Sequence, residues 1–322
     1  MPLIIAHRGA SGYRPEHTRS GYELAFALGA DAVEPDIVAS RDGVLVIRHE
    51  NEISGTTDVS SRPEFAARRI TKTVDGATLT GWFTEDFTWQ ELSTLRTTER
   101  LPGVRRDNTA FDGRDGILRL EDLLAMLDAS DREIGLIAEI KHASYFSSLG
   151  LPLDEILSAT LAAAGWHDDA RLTIESFELT ALERIRARGV RARFVYLLEA
   201  GGSPADRPEQ PYASWFTDAG LAGLAGVVDG ISIDKELLLT TDDAGVPTTT
   251  DLVARAHAAG LLVYCWTLRA ENRFLMPQHR SGGSKLAFGD WVREFELIMS
   301  SGVDGVFADQ PDLALEVRSR LA

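Results

Sequence analysis

Short apolar runs alternate along this chain with longer amphipathic stretches, the spacing of a βα protein with parallel strands. Residues 3–6 read as the first strand, and a helix is predicted over about 18–28. Further strands are predicted at 32–38, 136–140, 172–176, 193–198, 230–233, 262–267 and 305–308. Helices fit between them at 118–127, 153–164, 179–188, 250–259 and 291–300. These make eight strands, the number that closes a barrel, so the expected class is α/β, a TIM (β/α)8 barrel.

Two stretches break the rhythm. Residues 43–48 form a ninth β-like run, joined to the second strand only by Ser40-Arg41-Asp42-Gly43. Parallel neighbours need a longer crossover, so this Asp-Gly turn predicts a hairpin that carries His49 back beside the second strand. Between His49 and residue 118 lie roughly 70 polar residues that include Trp82, Phe83, Phe87 and Trp89. A structureless loop of that length would be out of place, and removing it leaves about the usual barrel length of 250 residues. We therefore expect one barrel domain over 1–322, with a compact inserted subdomain at about 50–117 over the barrel mouth.

Composition narrows the partners. A formal charge of −16 argues against nucleic acid and anionic membrane, since phosphate backbones demand basic surface. The lone Cys265 excludes an intramolecular disulfide and reads as strand packing. No apolar run approaches the ~18 residues of a membrane span, so stable membrane insertion is not expected. The first strand starts almost at Met1, which leaves no room for a signal peptide and points to a cytoplasmic protein.

The chemistry gathers at strand ends, where barrel active sites lie. His7 and Arg8 close the first strand, Glu34 and Asp36 the second, and Glu139 and Lys141 the run at 136–140. Each acid is spaced two from its neighbour in the pair, so Glu34 with Asp36, and Glu139 with Lys141, share a strand face. Three buried carboxylates together would be costly without a cation, and an all-oxygen set favours Ca2+ or Mg2+. Arg8 and Lys141 can balance a phosphate, while His7 and His49 can act as general acid and base, in an order the residues leave open. The kit suits metal-assisted cleavage of a phosphate ester. No GxxxxGK[ST] loop and no HExxH motif occurs.

In chain order stand His7-Arg8-Gly9, Pro15-Glu16-His17-Thr18, the block from Gly29-Ala30-Asp31 to Asp36, and Asp42-Gly43 leading to His49. Glu139-Ile140-Lys141, Ser176-Phe177, Trp266-Thr267 and Asp304-Gly305-Val306 complete the series. In this ordering the chain resembles the glycerophosphodiester phosphodiesterase family, in particular the subgroup of exported bacterial enzymes. The resemblance implies a TIM barrel with an insertion after the second histidine. It also implies hydrolysis of deacylated phospholipids to glycerol 3-phosphate and an alcohol, with His7 and His49 as acid and base and Glu34, Asp36 and Glu139 holding the metal. The first attack could come from water or from the glycerol 2-hydroxyl. Three positions depart from many members: His17 stands where Asn is common, Glu50 where Asp is common, and Glu175 where Gln is common.

Other residues keep two readings. Trp266 is either a substrate contact or core, Phe177 is more a core residue, and His17 either supports the first loop or touches the alcohol. His142 should point away from Lys141. The aromatic group of the insertion reads as that subdomain's own core. Two rival functions remain, a phospholipase of related fold acting on intact lipid and a non-catalytic barrel.

Overall fold

The structure, a computed structural model, describes residues 1–322. Eight parallel strands close into a barrel: β1 (Leu3–His7), β2 (Ala32–Glu34 continuing as Asp36–Ala39), β3 (Gly135–Ile140) and β4 (Leu172–Ser176), then β5 (Arg193–Leu198), β6 (Gly230–Asp234), β7 (Leu262–Leu268) and β8 (Gly305–Ala308). Each strand pairs with its successor, and β8 returns to β1. All eight predicted strands are present. The second is interrupted at Pro35, which has no N–H to give the ladder, although the Pro35 carbonyl still accepts from Glu139 N–H at 3.0 Å.

A helix follows each strand, at Arg19–Leu28, Leu120–Asp128, Leu153–Ala163, Leu179–Ala187, Asp218–Leu224, Leu252–Ala258, Trp291–Ser300 and Pro311–Leu321. The first shows how the sequence sets its limits. Thr18 caps it by accepting from Gly21 N–H at 3.1 Å, and Gly29 ends it in the left-handed region at φ 97°. The helices at Asp218–Leu224 and Pro311–Leu321 were not predicted. The former carries two glycines, and the latter buries only Pro311, Ala314 and Val317, so neither presents a broad apolar stripe.

The predicted hairpin exists. Leu45–Ile47 runs antiparallel to Asp36–Ala39, with Ile37 opposite Ile47, and Gly43 at φ 76° makes the turn. The long segment after it holds a second hairpin, Ile70–Val74 with Ala77–Gly81, and several short helical turns. Its buried side chains Ile53, Phe65, Trp82, Phe87 and Leu92 join the same apolar cluster as the barrel's helix layer. The aromatic group is thus not a core apart. It is continuous with the packing between strands and helices.

Alternation along the strands divides the interior in two. Outward residues such as Ile4, Ala6, Val33, Ala138 and Ile174 pack against the helices. Inward residues Ile5, Ala32, Ile137, Val195, Tyr264 and Phe307 form a separate buried plug in the barrel lumen. That plug is the floor on which the polar mouth rests.

The shared core predicts that the insertion unfolds together with the barrel. Phe87→Ala should cost roughly 3–5 kcal/mol, the usual range for emptying a buried Phe site. In urea it is expected to move one unfolding transition to lower concentration; a separate early transition would show that the inserted segment folds alone.

Candidate active site

One step beyond the apolar plug, the inward series turns polar. His7 follows Ile5, Glu34 follows Ala32, Glu139 follows Ile137, and Trp266 follows Tyr264. The register sets His7 level with Glu34, Asp36 with Glu139, and Glu139 with Glu175. His7, Arg8, Glu34, His49, Glu139, Lys141 and Trp266 line one cavity of about 510 Å³. Asp36 lies just beneath, buried. All eight candidate residues therefore meet at the C-terminal mouth of the barrel.

Ligand oxygens of Glu34, Asp36 and Glu139 lie within 4.8 Å of one another, and all three residues are buried. Glu175 is the fourth acid in the ring, also buried. Against these stand two cations. Arg8 Nε is 3.2 Å from Asp36 Oδ2, and Lys141 Nζ is 3.2 Å from Asp36 Oδ1 and 2.5 Å from Glu139 Oε1. Were all four ionised, they would exceed the two cations by two negative charges in a desolvated place.

The protonation preferences express that excess. Burial, with Asp36 and Glu139 nearby, pushes Glu34 well above the usual carboxylate range. Burial lifts Glu139 to about 8 despite Lys141, and burial beside Glu139 lifts Glu175 as well. For Asp36, burial acts upward but Lys141, His49 and Arg8 outweigh it and hold it low. Glu34 Oε1 and Glu175 Oε2 are buried without a hydrogen-bond donor, and Asp36 Oδ1 has only its ion-pair contact with Lys141. Orphaned hard oxygens with a deficit of two positive charges fit a divalent cation bound by oxygen.

Backbone and loops are bent to this purpose. Arg8, His17 and His142 all adopt left-handed φ, at 60°, 58° and 53°, unusual for residues other than glycine. Arg8 turns so that its backbone N–H donates to Glu34 Oε2 at 2.8 Å. The following Gly9, at φ 82°, passes so close to the first helix that a Cβ would lie 2.9 Å from the Gly21 carbonyl carbon. His17 is fully buried, its Nε2 2.8 Å from Asp36 Oδ2 and its Nδ1 2.9 Å from Tyr22 Oη. It braces a candidate ligand and cannot touch an alcohol. His142 points away from the cavity, as expected, to Asp75 at the tip of the Ile70–Val74 hairpin.

Each cavity histidine has a carboxylate on Nδ1. His7 Nδ1 is 2.6 Å from Asp309 Oδ1, and His49 Nδ1 is 2.5 Å from Glu50 Oε1. An ionised carboxylate only accepts, so both Nδ1 atoms carry the proton and Nε2 is left for the cavity. Burial and the neighbouring Arg8 lower His7 to about 4, opposed by Asp309, and the same two causes lower His49. In both rings burial favours the neutral imidazole, and the carboxylate on Nδ1 favours the charged one.

Sequence reasoning missed Asp309 and the role of Glu50. Asp309 continues the inward alternation from Phe307, a signal that was available. It also missed the loop after β7, whose Arg269, Arg273, Phe274 and Arg280 form one wall of the cavity. Trp266 is half-buried in that cavity, meets Phe177 edge-to-face with ring centroids 6.0 Å apart, and has an indole N–H without a partner. Cys265 is fully buried, as expected for strand packing.

The model of the glycerophosphoryl diester phosphodiesterase family matches residues 7–313. The chain belongs to that family. It is accordingly a phosphoric diester hydrolase. Among relatives, it is 32% identical to the glycerophosphodiester phosphodiesterase GDPD6 of Arabidopsis thaliana, over 96% of this chain and 83% of that protein. It is 24% identical to a glycerophosphodiester phosphodiesterase of Haemophilus influenzae, over 98% of this chain and 89% of that one. The same fold occurs in the Oleispira antarctica phosphodiesterase solved in complex with its product sn-glycerol-3-phosphate. That chain aligns with a TM-score of 0.65 at 20% identity, over 99% of this chain and 97% of its own. The Thermotoga maritima family member aligns at 0.58 with 16% identity, over 99% of both chains.

His17 should act on this family site through Asp36. In His17→Ala, calorimetric Ca2+ affinity is expected to fall roughly 10–100-fold, the usual effect of losing a residue that orients a ligand. Unchanged affinity would show that Asp36 does not depend on that brace.

Proposed function

We propose that this chain hydrolyses glycerophosphodiesters to glycerol 3-phosphate and an alcohol, with His7 and His49 as the proton-transfer pair. A divalent cation, Ca2+ or Mg2+, would be held by Glu34, Asp36 and Glu139. One observation carries the reading: two imidazoles, each with Nδ1 tied to a carboxylate, line the same cavity as a ring of buried acids. The likeness to an enzyme solved with sn-glycerol-3-phosphate supports the choice of product.

The residues divide the work by position. A phosphodiester entering the cavity meets Arg8 and Lys141, whose charge offsets that of the phosphate oxygens. The cation, when bound, would polarise the phosphoryl group. The histidine serving as base takes the proton of the attacking hydroxyl on its free Nε2, while the one serving as acid enters the step as imidazolium and passes its Nε2 proton to the departing alcohol oxygen. Trp266, half-buried in the cavity wall, provides an apolar surface for the organic part of the substrate.

Release of glycerol 3-phosphate from glycerophosphocholine should vanish in EDTA and return with Ca2+ or Mg2+. His7→Ala and His49→Ala are expected to fold normally and lose about 10²–10⁴-fold in rate, the usual worth of a general acid or base. A rate indifferent to EDTA would remove the metal from the reading, and a near-normal rate in either variant would remove that histidine. Phosphatidylcholine micelles run beside glycerophosphocholine test the intact-lipid alternative; preference for the micelles would replace the proposed substrate.

A further inference from the structure

Both histidine-bound carboxylates are themselves gripped, and both grips come from one short turn of the inserted segment. Arg100 donates to Glu50 through NH1 at 2.9 Å and NH2 at 2.6 Å, and to Glu16 through Nε at 2.6 Å and NH2 at 2.7 Å. Arg105 donates through NH2 to Asp309 Oδ2 at 2.6 Å and through Nε to Glu271 at 2.7 Å. We propose that the turn at 99–105 is a positioning element for the two proton-transfer histidines, Arg100 acting through Glu50 on His49 and Arg105 through Asp309 on His7. This inference rests on the assignment of His7 and His49 made above.

A carboxylate orients an imidazole only if it is itself held. Glu50 is the immediate neighbour of His49 and its side chain is 31% exposed, so in the absence of Arg100 water would compete for it. A two-pronged guanidinium contact removes that freedom. Asp309 is buried and receives a second donor, Arg269 Nε at 2.8 Å, so its hold is shared.

The turn is stiff enough to transmit position. Arg105 N–H donates to the Leu101 carbonyl at 2.8 Å, and Glu99 accepts from Leu101 N–H at 2.7 Å and from Asn108 Nδ2 at 2.9 Å. Arg105 NH1 and Asn108 Nδ2 both reach the Ser11 carbonyl, at 3.1 and 3.2 Å, which fastens the turn to the loop that follows His7. Glu16 on that loop also accepts from Arg8 at 3.0 Å, linking the turn to the phosphate-facing arginine.

The test compares two substrates. Glycerophosphocholine has an alcohol leaving group that needs a proton, whereas the p-nitrophenyl ester of glycerol 3-phosphate expels a phenolate that does not. Arg100→Met and Arg105→Met should each lower kcat on glycerophosphocholine about 10–100-fold, the range for residues that orient an active ligand. KM should stay within about twofold, as expected when ground-state binding is untouched. One variant should keep its rate on the nitrophenyl ester, and it marks the histidine that serves as acid; the other should lose equally on both substrates. Arg106→Ala, at an exposed position just after the turn, should behave as wild type. If the Met variants fail to fold, Arg100→Lys and Arg105→Lys keep the charge without the fork and should show the same split at smaller amplitude.

Wild-type kcat on glycerophosphocholine in either variant overturns the inference, as does an equal loss on both substrates in both variants. A wild-type protein that releases no glycerol 3-phosphate would instead defeat the proposed function, so the two failures are distinguishable.

Discussion

Four acids buried at one rim of a barrel form the constraint to which the rest of the mouth answers. Moving ionised carboxylates out of water is expensive, and their mutual repulsion adds to the cost. The fold supplies two cations, one buried histidine and a backbone amide as partial compensation. Arg8 leaves the favoured backbone region in order to aim its N–H at Glu34, and Lys141 is shared between Asp36 and Glu139. Two carboxylate oxygens, on Glu34 and Glu175, still lack a donor. A protein selected for stability alone would fill this ring with apolar side chains, as it does one layer below with Ile5, Ile137 and Tyr264. The contrast between the two layers marks the mouth as a place where folding free energy is surrendered to chemistry.

The two histidines solve one problem twice. Each has Nδ1 tied to a carboxylate, which leaves Nε2 for the cavity. The partners have different origins. Asp309 comes from the opposite end of the chain and arrives through closure of the barrel, where β8 meets β1. Glu50 is the next residue after His49 and depends on the hairpin and on Arg100 for its orientation. One side of the pair is thus set by barrel closure and the other by the insertion. The long segment between the hairpin and the second helix shares the barrel's core, which ties its position to that of the barrel mouth.

Much of this was legible in the sequence. The eight strands announce themselves through apolar runs, and His7, Glu34, Asp36 and Glu139 stand out because charged residues at the ends of such runs have few structural reasons to be there. The Asp42-Gly43 turn was enough to return His49 to the site. Helix Asp218–Leu224 escaped because glycines and a narrow stripe hide its period. Arg105 and Asp309, 204 positions apart, illustrate the deeper limit. An arginine in a polar insertion carries no local sign of its partner, which only the folded arrangement of two loops supplies. His17 lies between these cases, since its place in the first loop was evident but the buried bridge from Tyr22 to Asp36 was not.

The net charge of −16 is compatible with an anionic substrate because the two quantities act at different ranges. In ordinary salt, surface charges are screened over about 8–10 Å, so a small ester inside a cavity responds to the side chains that line it. Here Arg8 and Lys141 stand on the acid side, and Arg269, Arg273 and Arg280 on the wall built by the loop after β7. Lys235 and Arg269 are already paired, with Glu294 and Asp309, whereas Arg273 and Arg280 have no carboxylate partner. The acidic exterior opposes adsorption to nucleic acid and anionic bilayers, whose many phosphates sum over the whole surface. A single phosphodiester presents no such sum, and for it the local cationic side chains decide. Overall charge therefore governs which large polyanions can approach, and the residues of the mouth govern which small anion can stay.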